Sequence, residues 1–336
     1  MRMYIDGLQY ANWSERIFRQ MRAGGVDGVH VTITYHENFR ETVAELSRWN
    51  RWFEQFPDLI FQGHSAADLD HARATRRTAI FFGAQNPSCI EDDIGLIEVL
   101  HQLGLRFMQL SYNNQSLLAT GCYEQTDAGL TRMGREVVAE MNRVGMVIDM
   151  SHSGERSTLM AIEHSSRPIA ITHANPSGWH PALRNKSETV LKALADSGGM
   201  LGVSLYPHHL KGGSACTLSS FCTMIAHTAE LIGIDHMGIG SDLCQDQPDS
   251  VVEWMRSGRW TKAVDYGEGS AAAPGFPPMP EWFRDNRDFG NIVQGLRAVG
   301  LAEAEIEQVL GGNWARFFGR GFGPEGQVAK VERAAQ

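Results

Sequence analysis

Residues 146–176 read MVIDMSHSGERSTLMAIEHSSRPIAITHANP, and two short runs within them set the reading of the whole chain. Met146–Met150 and Pro168–Thr172 are rich in apolar and β-branched residues, as buried strands are. Each gives way at once to polar side chains: the first ends in Asp149-Met150-Ser151-His152, the second in Ile171-Thr172-His173.

Working outward, runs of the same kind recur at Met3–Asp6, Gly28–Thr34, Thr78–Gly83 and Leu105–Ser111 on one side, and at Gly199–Leu205 and His236–Ser241 on the other. Amphipathic stretches such as Ile94–Leu103, Gly134–Val144, Glu188–Asp196 and Ser220–Ile232 lie between several of them. Strand and helix signals in alternation imply parallel strands joined by crossover helices. Eight such units predict an α/β fold of the (β/α)8 TIM-barrel kind rather than an open doubly wound sheet. No GxGxxG follows the first strand, which argues against a dinucleotide-binding fold. The barrel is expected to form one domain over residues 1–320, followed by a tail at 321–336. The last helical pattern, Ala302–Leu310, is expected to stop at Gly311-Gly312. A proline- and glycine-rich loop, Tyr266–Pro280, follows the last strand, either covering the mouth of the barrel or forming a solvated insertion.

The composition bounds what such a barrel does. Of 336 residues, 43% are hydrophobic and 21% charged, as in a soluble globular protein with a large core. A formal net charge of −9 argues against nucleic acid or an anionic membrane as partner. No apolar stretch reaches the roughly 18 residues needed to span a bilayer, and Met1–Gln9 lacks the apolar run of a signal peptide. The five cysteines, Cys89, Cys122, Cys216, Cys222 and Cys244, are scattered, odd in number and without a CxxC pair, as reduced thiols are. A cytoplasmic location is therefore expected.

In a barrel of this type the chemistry sits at the carboxyl ends of several strands at once. Those ends supply His152, His173 and, from Gly240-Ser241-Asp242, Asp242. Two imidazoles and a carboxylate suit zinc, iron and similar ions; the bland alternative is that each histidine only caps its strand. In the second strand Val29, Val31 and Ile33 share the outward face, while His30, Thr32 and Thr34 point inward. His30 is either a ligand, a group supporting the site, a substrate contact, or a satisfied core histidine. His208 and His209 follow the seventh strand on the same face, and Arg184 follows the sixth, where it either clamps a substrate carboxylate or is an ordinary surface arginine, the default for its position alone.

These stretches resemble the membrane dipeptidase (renal dipeptidase, peptidase M19) family of the amidohydrolase-like, metallo-dependent hydrolase barrels. The matching segments are VIDMSHS (147–153), IAITHANP (169–176), HPALRN (180–185), HMGIGSD (236–242), GLRFMQLSYNN (104–114) and LGGNWARF (310–317). Family members hold two zinc ions bridged by a glutamate and cleave dipeptides. The resemblance implies that His152 and His173 bind one metal. It implies that Asp242 binds the other and orients the attacking water, and that Arg184 holds the substrate carboxylate. The family's first strand ends in DGHxD, where this chain has Asp6-Gly7-Leu8-Gln9-Tyr10. The bridging glutamate precedes a glycine, a position that falls on Phe82 before Gly83, and the oxyanion-stabilising histidine corresponds to Tyr112. Leu8 and Phe82 cannot coordinate a metal, and Tyr10 is a poor replacement for a carboxylate.

The expectation is accordingly one divalent ion, zinc by the family's habit, on His152, His173 and Asp242, completed by His30 or water. Asp242 acts as ligand or as general base, Tyr112 donates to the oxyanion, and Arg184, Tyr112, Phe82 and Tyr10 line the substrate pocket. The reaction expected is hydrolysis of a C–N bond in a small carboxylate-bearing molecule other than a typical dipeptide. A metal-dependent decarboxylase or lyase and a non-catalytic ligand-binding barrel are the competing readings. A homodimer is what the resemblance implies.

Overall fold

The computed structural model describes residues 2–259, 261–264, 266–267 and 269–323. Its strands are β1 (Tyr4–Gln9), β2 (Val26–Thr34), β3 (Ile60–Gln62), β4 (Thr78–Ala84), β5 (Leu105–Gln109), β6 (Val147–Asp149), β7 (Ala170–Ile171), β8 (Met200–Val203) and β9 (Met237–Ile239). β1 pairs in parallel with both β2 and β9, β2 pairs with β4, and the remaining strands follow in sequence order to β9. Eight parallel strands thus close into a barrel, and every expected strand is one of its staves. β3 was not foreseen. It has three residues, pairs only with the start of β4, and lies on the side that β5 occupies further along. So short a run carries no periodicity to read.

Local sequence accounts for the helix starts. Thr131 caps the helix Arg132–Val144 by accepting from the Gly134 amide, and Gly145, at φ 81°, ends it. Thr217 does the same for Leu218–Ile232, and Ser187 for Glu188–Asp196. Val29, Val31 and Ile33 of β2 pack into the layer between sheet and helices, as the alternation required.

The inside of the barrel is filled at the amino end of the strands. Ile5, Phe81, Phe107, Val147, Ala170 and Met200, from six different strands, meet Trp314, Phe317 and Phe318 of the helix Asn313–Gly321. Trp314 donates its indole N–H to the Ile239 carbonyl at 2.9 Å, which closes this end of the barrel. The glycine pair 311–312 does not stop the preceding helix: Glu303–Glu307 passes through a π-helical turn, Gln308–Gly312, straight into Asn313–Gly321. Gly311 is needed for close approach instead, because a Cβ there would stand 2.6 Å from the Met3 carbonyl oxygen. Of the tail expected at 321–336, residues 324–336 lie outside the described residues. No described helix is long and apolar enough to cross a membrane.

Candidate active site

With one end plugged, the other opens on a cavity lined by His152, Arg184, Tyr112 and Asp242, among others. The segment after β9 roofs it. The helix Asp249–Ser257 contributes Met255 and Arg256, and the expected covering loop contributes Tyr266, Gly267 and Phe276.

Asp149, at the end of β6, organises the floor. Its buried carboxylate accepts from Ser151 N at 3.0 Å, Ser151 Oγ at 2.5 Å, Thr172 N at 3.1 Å, Thr172 Oγ1 at 2.6 Å and Gln109 Nε2 at 3.0 Å. β6 and β7 are thereby locked together where they carry His152 and His173. The Thr172 hydroxyl gives its proton to Asp149, so its oxygen accepts from His173 Nδ1, 2.8 Å away. His152 Nδ1 likewise donates to Asn113 Oδ1 at 2.7 Å. Burial first, and the Arg184 guanidinium second, hold both imidazoles well below the usual histidine range, so both are neutral. Each ring then has its proton on Nδ1 and a lone pair on Nε2, and the two Nε2 atoms face each other at 3.1 Å. Two opposed lone pairs repel unless a cation lies between them. Two imidazoles on one tetrahedral zinc, at about 2.0–2.1 Å each, would stand roughly 3.3 Å apart, so the pair fits a shared divalent ion.

A third ligand is not in place. Among the described residues no group of three His, Cys, Asp or Glu side chains is close enough to hold an ion. His30 is fully buried, stacks on Phe107 at 4.1 Å and engages the Gly7 carbonyl through Nδ1 at 2.7 Å. Its Nε2, without a partner, abuts Gly83, where a Cβ would stand only 1.8 Å away. His30 therefore points inward, as the alternation of β2 required, with its Nε2 against Gly83 of β4 and its charge within reach of His173.

Asp242 stands at φ 55°, in the left-handed region, with its amide donating to the Leu8 carbonyl at 3.0 Å. Asp6 fixes this corner by accepting from Ser241 N at 2.7 Å, from the Ser241 hydroxyl and from Gln9 Nε2 at 2.7 Å. Burial pushes the Asp242 carboxyl up to about 7 against the pull of Arg184, with Asp6 adding to the rise. A carboxyl so placed exchanges protons near neutrality, as a general base must. Tyr112 stacks on His152 at 4.1 Å, and burial keeps its hydroxyl protonated, hence a donor. Arg184 is 3% exposed and donates to the Ser151 and His173 carbonyls, which fixes its guanidinium beside both ligand-bearing loops.

Two residues expected to line the pocket do not. Phe82 faces outward, against Trp49 at 5.6 Å and Phe53 at 6.0 Å, because the inward positions of β4 are Ala79, Phe81 and Gly83. The side chain that reaches the cavity from this strand is Gln85, which donates Nε2 to Thr32 Oγ1 at 2.7 Å and to Tyr35 Oη at 2.9 Å. The period-two alternation from Ala79 was the signal that could have identified it. Tyr10 lies one ring back, edge-on to Tyr35 at 4.8 Å, and it is Tyr35 that meets the cavity. Phe82→Leu should therefore cost about 1–2 kcal/mol of stability through lost packing, with substrate KM unchanged; denaturant melts and steady-state kinetics check both.

The family model described as "Membrane dipeptidase (Peptidase family M19)" matches residues 11–255. A dipeptidase of Claviceps purpurea, tcpJ, is 24% identical over 293 residues, covering 86% of this chain and 61% of its own length. This chain thus spans less than two thirds of that curated relative. A solved amidohydrolase of Pseudomonas aeruginosa superposes with a TM-score of 0.90 at 35% identity, covering 96% of this chain and 97% of its own. A metallopeptidase of Rhodobacter sphaeroides, solved with a phosphinate mimic of L-Ala-D-Ala, gives 0.78 at 18% identity, covering 96% and 99%, a likeness of fold.

Proposed function

The chain belongs to the membrane dipeptidase family, peptidase family M19, and from that premise we propose that it is a hydrolase using one divalent metal, zinc by the family's habit. It cleaves the amide bond of a small carboxylate-bearing molecule. The observation that carries this reading is the pair of opposed Nε2 lone pairs on His152 and His173, 3.1 Å apart. The family's two-ion arrangement fits poorly here. Leu8 and Tyr10 stand where the first strand would bring a histidine and an aspartate. β4 offers the amide of Gln85 to the cavity where a bridging carboxylate would be needed.

A divalent ion on His152 and His173 would supply a Lewis acid that polarises the scissile carbonyl and eases deprotonation of water. The chain's own groups do the rest. Arg184 holds the substrate carboxylate, with its guanidinium already oriented by two backbone carbonyls. Asp242 takes a proton from the attacking water and passes it to the nitrogen that leaves as an amine. Tyr112, a neutral phenol in the cavity wall, donates to the oxygen on which charge develops. Water adds across the amide, giving a carboxylic acid and an amine. The five cysteines are free thiols, which accords with a cytoplasmic setting for this chemistry.

Elemental mass spectrometry of the purified protein tests the reading. About one ion per chain is expected, lost in His152→Ala together with hydrolysis of N-acyl amino acids. Two ions per chain, or none after incubation with zinc, manganese or iron, would overturn it.

A further inference from the structure

Two arginines reach the cavity, and the proposed chemistry uses only one. Arg184 arrives from the loop after β7; Arg256 arrives from the helix Asp249–Ser257 in the roof. Arg256 is held in place by donating to the Pro274 carbonyl at 3.0 Å and by a hydrogen bond to the Tyr206 side chain. None of the ion pairs formed among the described residues involves either guanidinium. Asp242 is the only carboxylate lining the cavity among the described residues, and it is the proposed base. The surrounding phenols of Tyr35, Tyr112 and Tyr206 are kept protonated by burial, so they add donors and no negative charge.

This balance bears on substrate class. A dipeptide brings a free ammonium group, which needs a carboxylate partner when desolvated. Among the described residues only Asp242 lines the cavity to serve, and pairing it with an ammonium would hold it ionised and lower its basicity. Among the described residues neither guanidinium forms an ion pair, although Arg184 feels the charge of Asp242, and together they call instead for two anionic groups on the ligand. The geometry points to a dianionic substrate: an N-acyl amino acid whose α-carboxylate pairs with Arg184 and whose second acidic group pairs with Arg256. The assignment rests on the reading of this cavity as the site of amide hydrolysis, and it makes Arg256 a specificity residue supplied by the roof segment.

Calorimetric titration of the metal-replete protein with glutarate and with butyrate isolates the second anion contact without requiring turnover. Wild type should bind glutarate at least ~10-fold more tightly than butyrate, the scale of one charge-assisted contact. Arg256→Gln should erase that preference while leaving butyrate binding unchanged, and Arg256→Lys should keep part of it. Equal affinity for the two acids in the wild type would overturn the inference. So would a glutarate preference that survives Arg256→Gln. Turnover then separates this inference from the reading beneath it. N-Succinyl amino acids should be cleaved with a kcat/KM at least ~10-fold above that of N-acetyl amino acids, an advantage lost in Arg256→Gln. Cleavage of N-acetyl and N-succinyl compounds alike would sink the dianionic assignment and leave the hydrolase standing. A glutarate preference that depends on Arg256, with no amide cleaved, would sink the hydrolase and leave the two-arginine site.

Discussion

Asp242→Asn should lower hydrolysis about 10³-fold, within the range that loss of a general base commonly produces, while metal content per chain stays unchanged. The substitution is chosen for what it preserves. Asp242 holds φ 55°, and asparagine is among the few residues that adopt this region readily, so the amide's bond to the Leu8 carbonyl should survive. The amide is also nearly the size of the carboxyl, so the cavity keeps its shape. What is lost is the capacity to take a proton. The unchanged metal content follows because Asp242 does not sit with His152 and His173 as a third ligand. If the ion disappears together with the activity, Asp242 is a ligand and the base must be sought elsewhere. A pH profile adds a second readout. The base works only as a carboxylate, and burial places its pKa at about 7. Wild-type activity should therefore fall as pH drops below neutrality, and the residual activity of the asparagine variant should lack that limb.

Why the barrel was legible from the chain while part of its site was not comes down to how far each signal reaches. The eight staves are runs of apolar and β-branched residues, and burial on both faces is a property each run states for itself. Helix starts at Thr131, Ser187 and Thr217 are equally local. His152, His173 and Asp242 could be placed at the mouth because strand ends order them, whereas Arg184 was singled out only by its match to the family's carboxylate-holding arginine, its position alone being that of an ordinary surface residue. Phe82 went astray for a different reason. Its neighbour Gly83 anchored a motif match, yet the direction of a strand side chain is set by counting in twos along the whole strand, and that count selects Gln85. Tyr10 could not be placed at all from sequence, since only the packing of its ring behind Tyr35 takes it out of the cavity. Arg256 was invisible for the same kind of reason. Its helix sits in an insertion whose path over the mouth is decided by tertiary contacts such as the bond to the Pro274 carbonyl. That no third metal ligand stands with the pair among the described residues is likewise a matter of distance, and no spacing in the sequence reports it.

Asp149 carries the most connected of these tertiary dependences, and its two substitutions should separate stability from metal affinity. In Asp149→Ala all five donors lose their acceptor at once. The hydroxyls of Ser151 and Thr172 and the Gln109 amide can turn elsewhere. The Ser151 and Thr172 backbone amides cannot, and each buried orphan costs about 1–3 kcal/mol. A loss of about 3–5 kcal/mol is therefore expected in denaturant unfolding, enough to unfold a large share of a marginally stable domain at 37 °C. Asp149→Asn should retain most of the stability, because its carbonyl can take the position that accepts from both backbone amides. Its NH2 then stands where Oδ2 accepted from Thr172 Oγ1, and it must donate to that hydroxyl. The Thr172 proton, displaced, turns toward His173 Nδ1, and the imidazole moves its own proton to Nε2. A protonated Nε2 is no ligand, so zinc affinity should fall about 10- to 100-fold, the usual scale for losing a partner that orients a metal-binding histidine. Competition against a chromophoric chelator measures this directly. Should the asparagine variant bind zinc as tightly as wild type, the chain from Asp149 through Thr172 to His173 does not set the tautomer. The lone pair on His173 would then owe its place to the metal rather than to the fold.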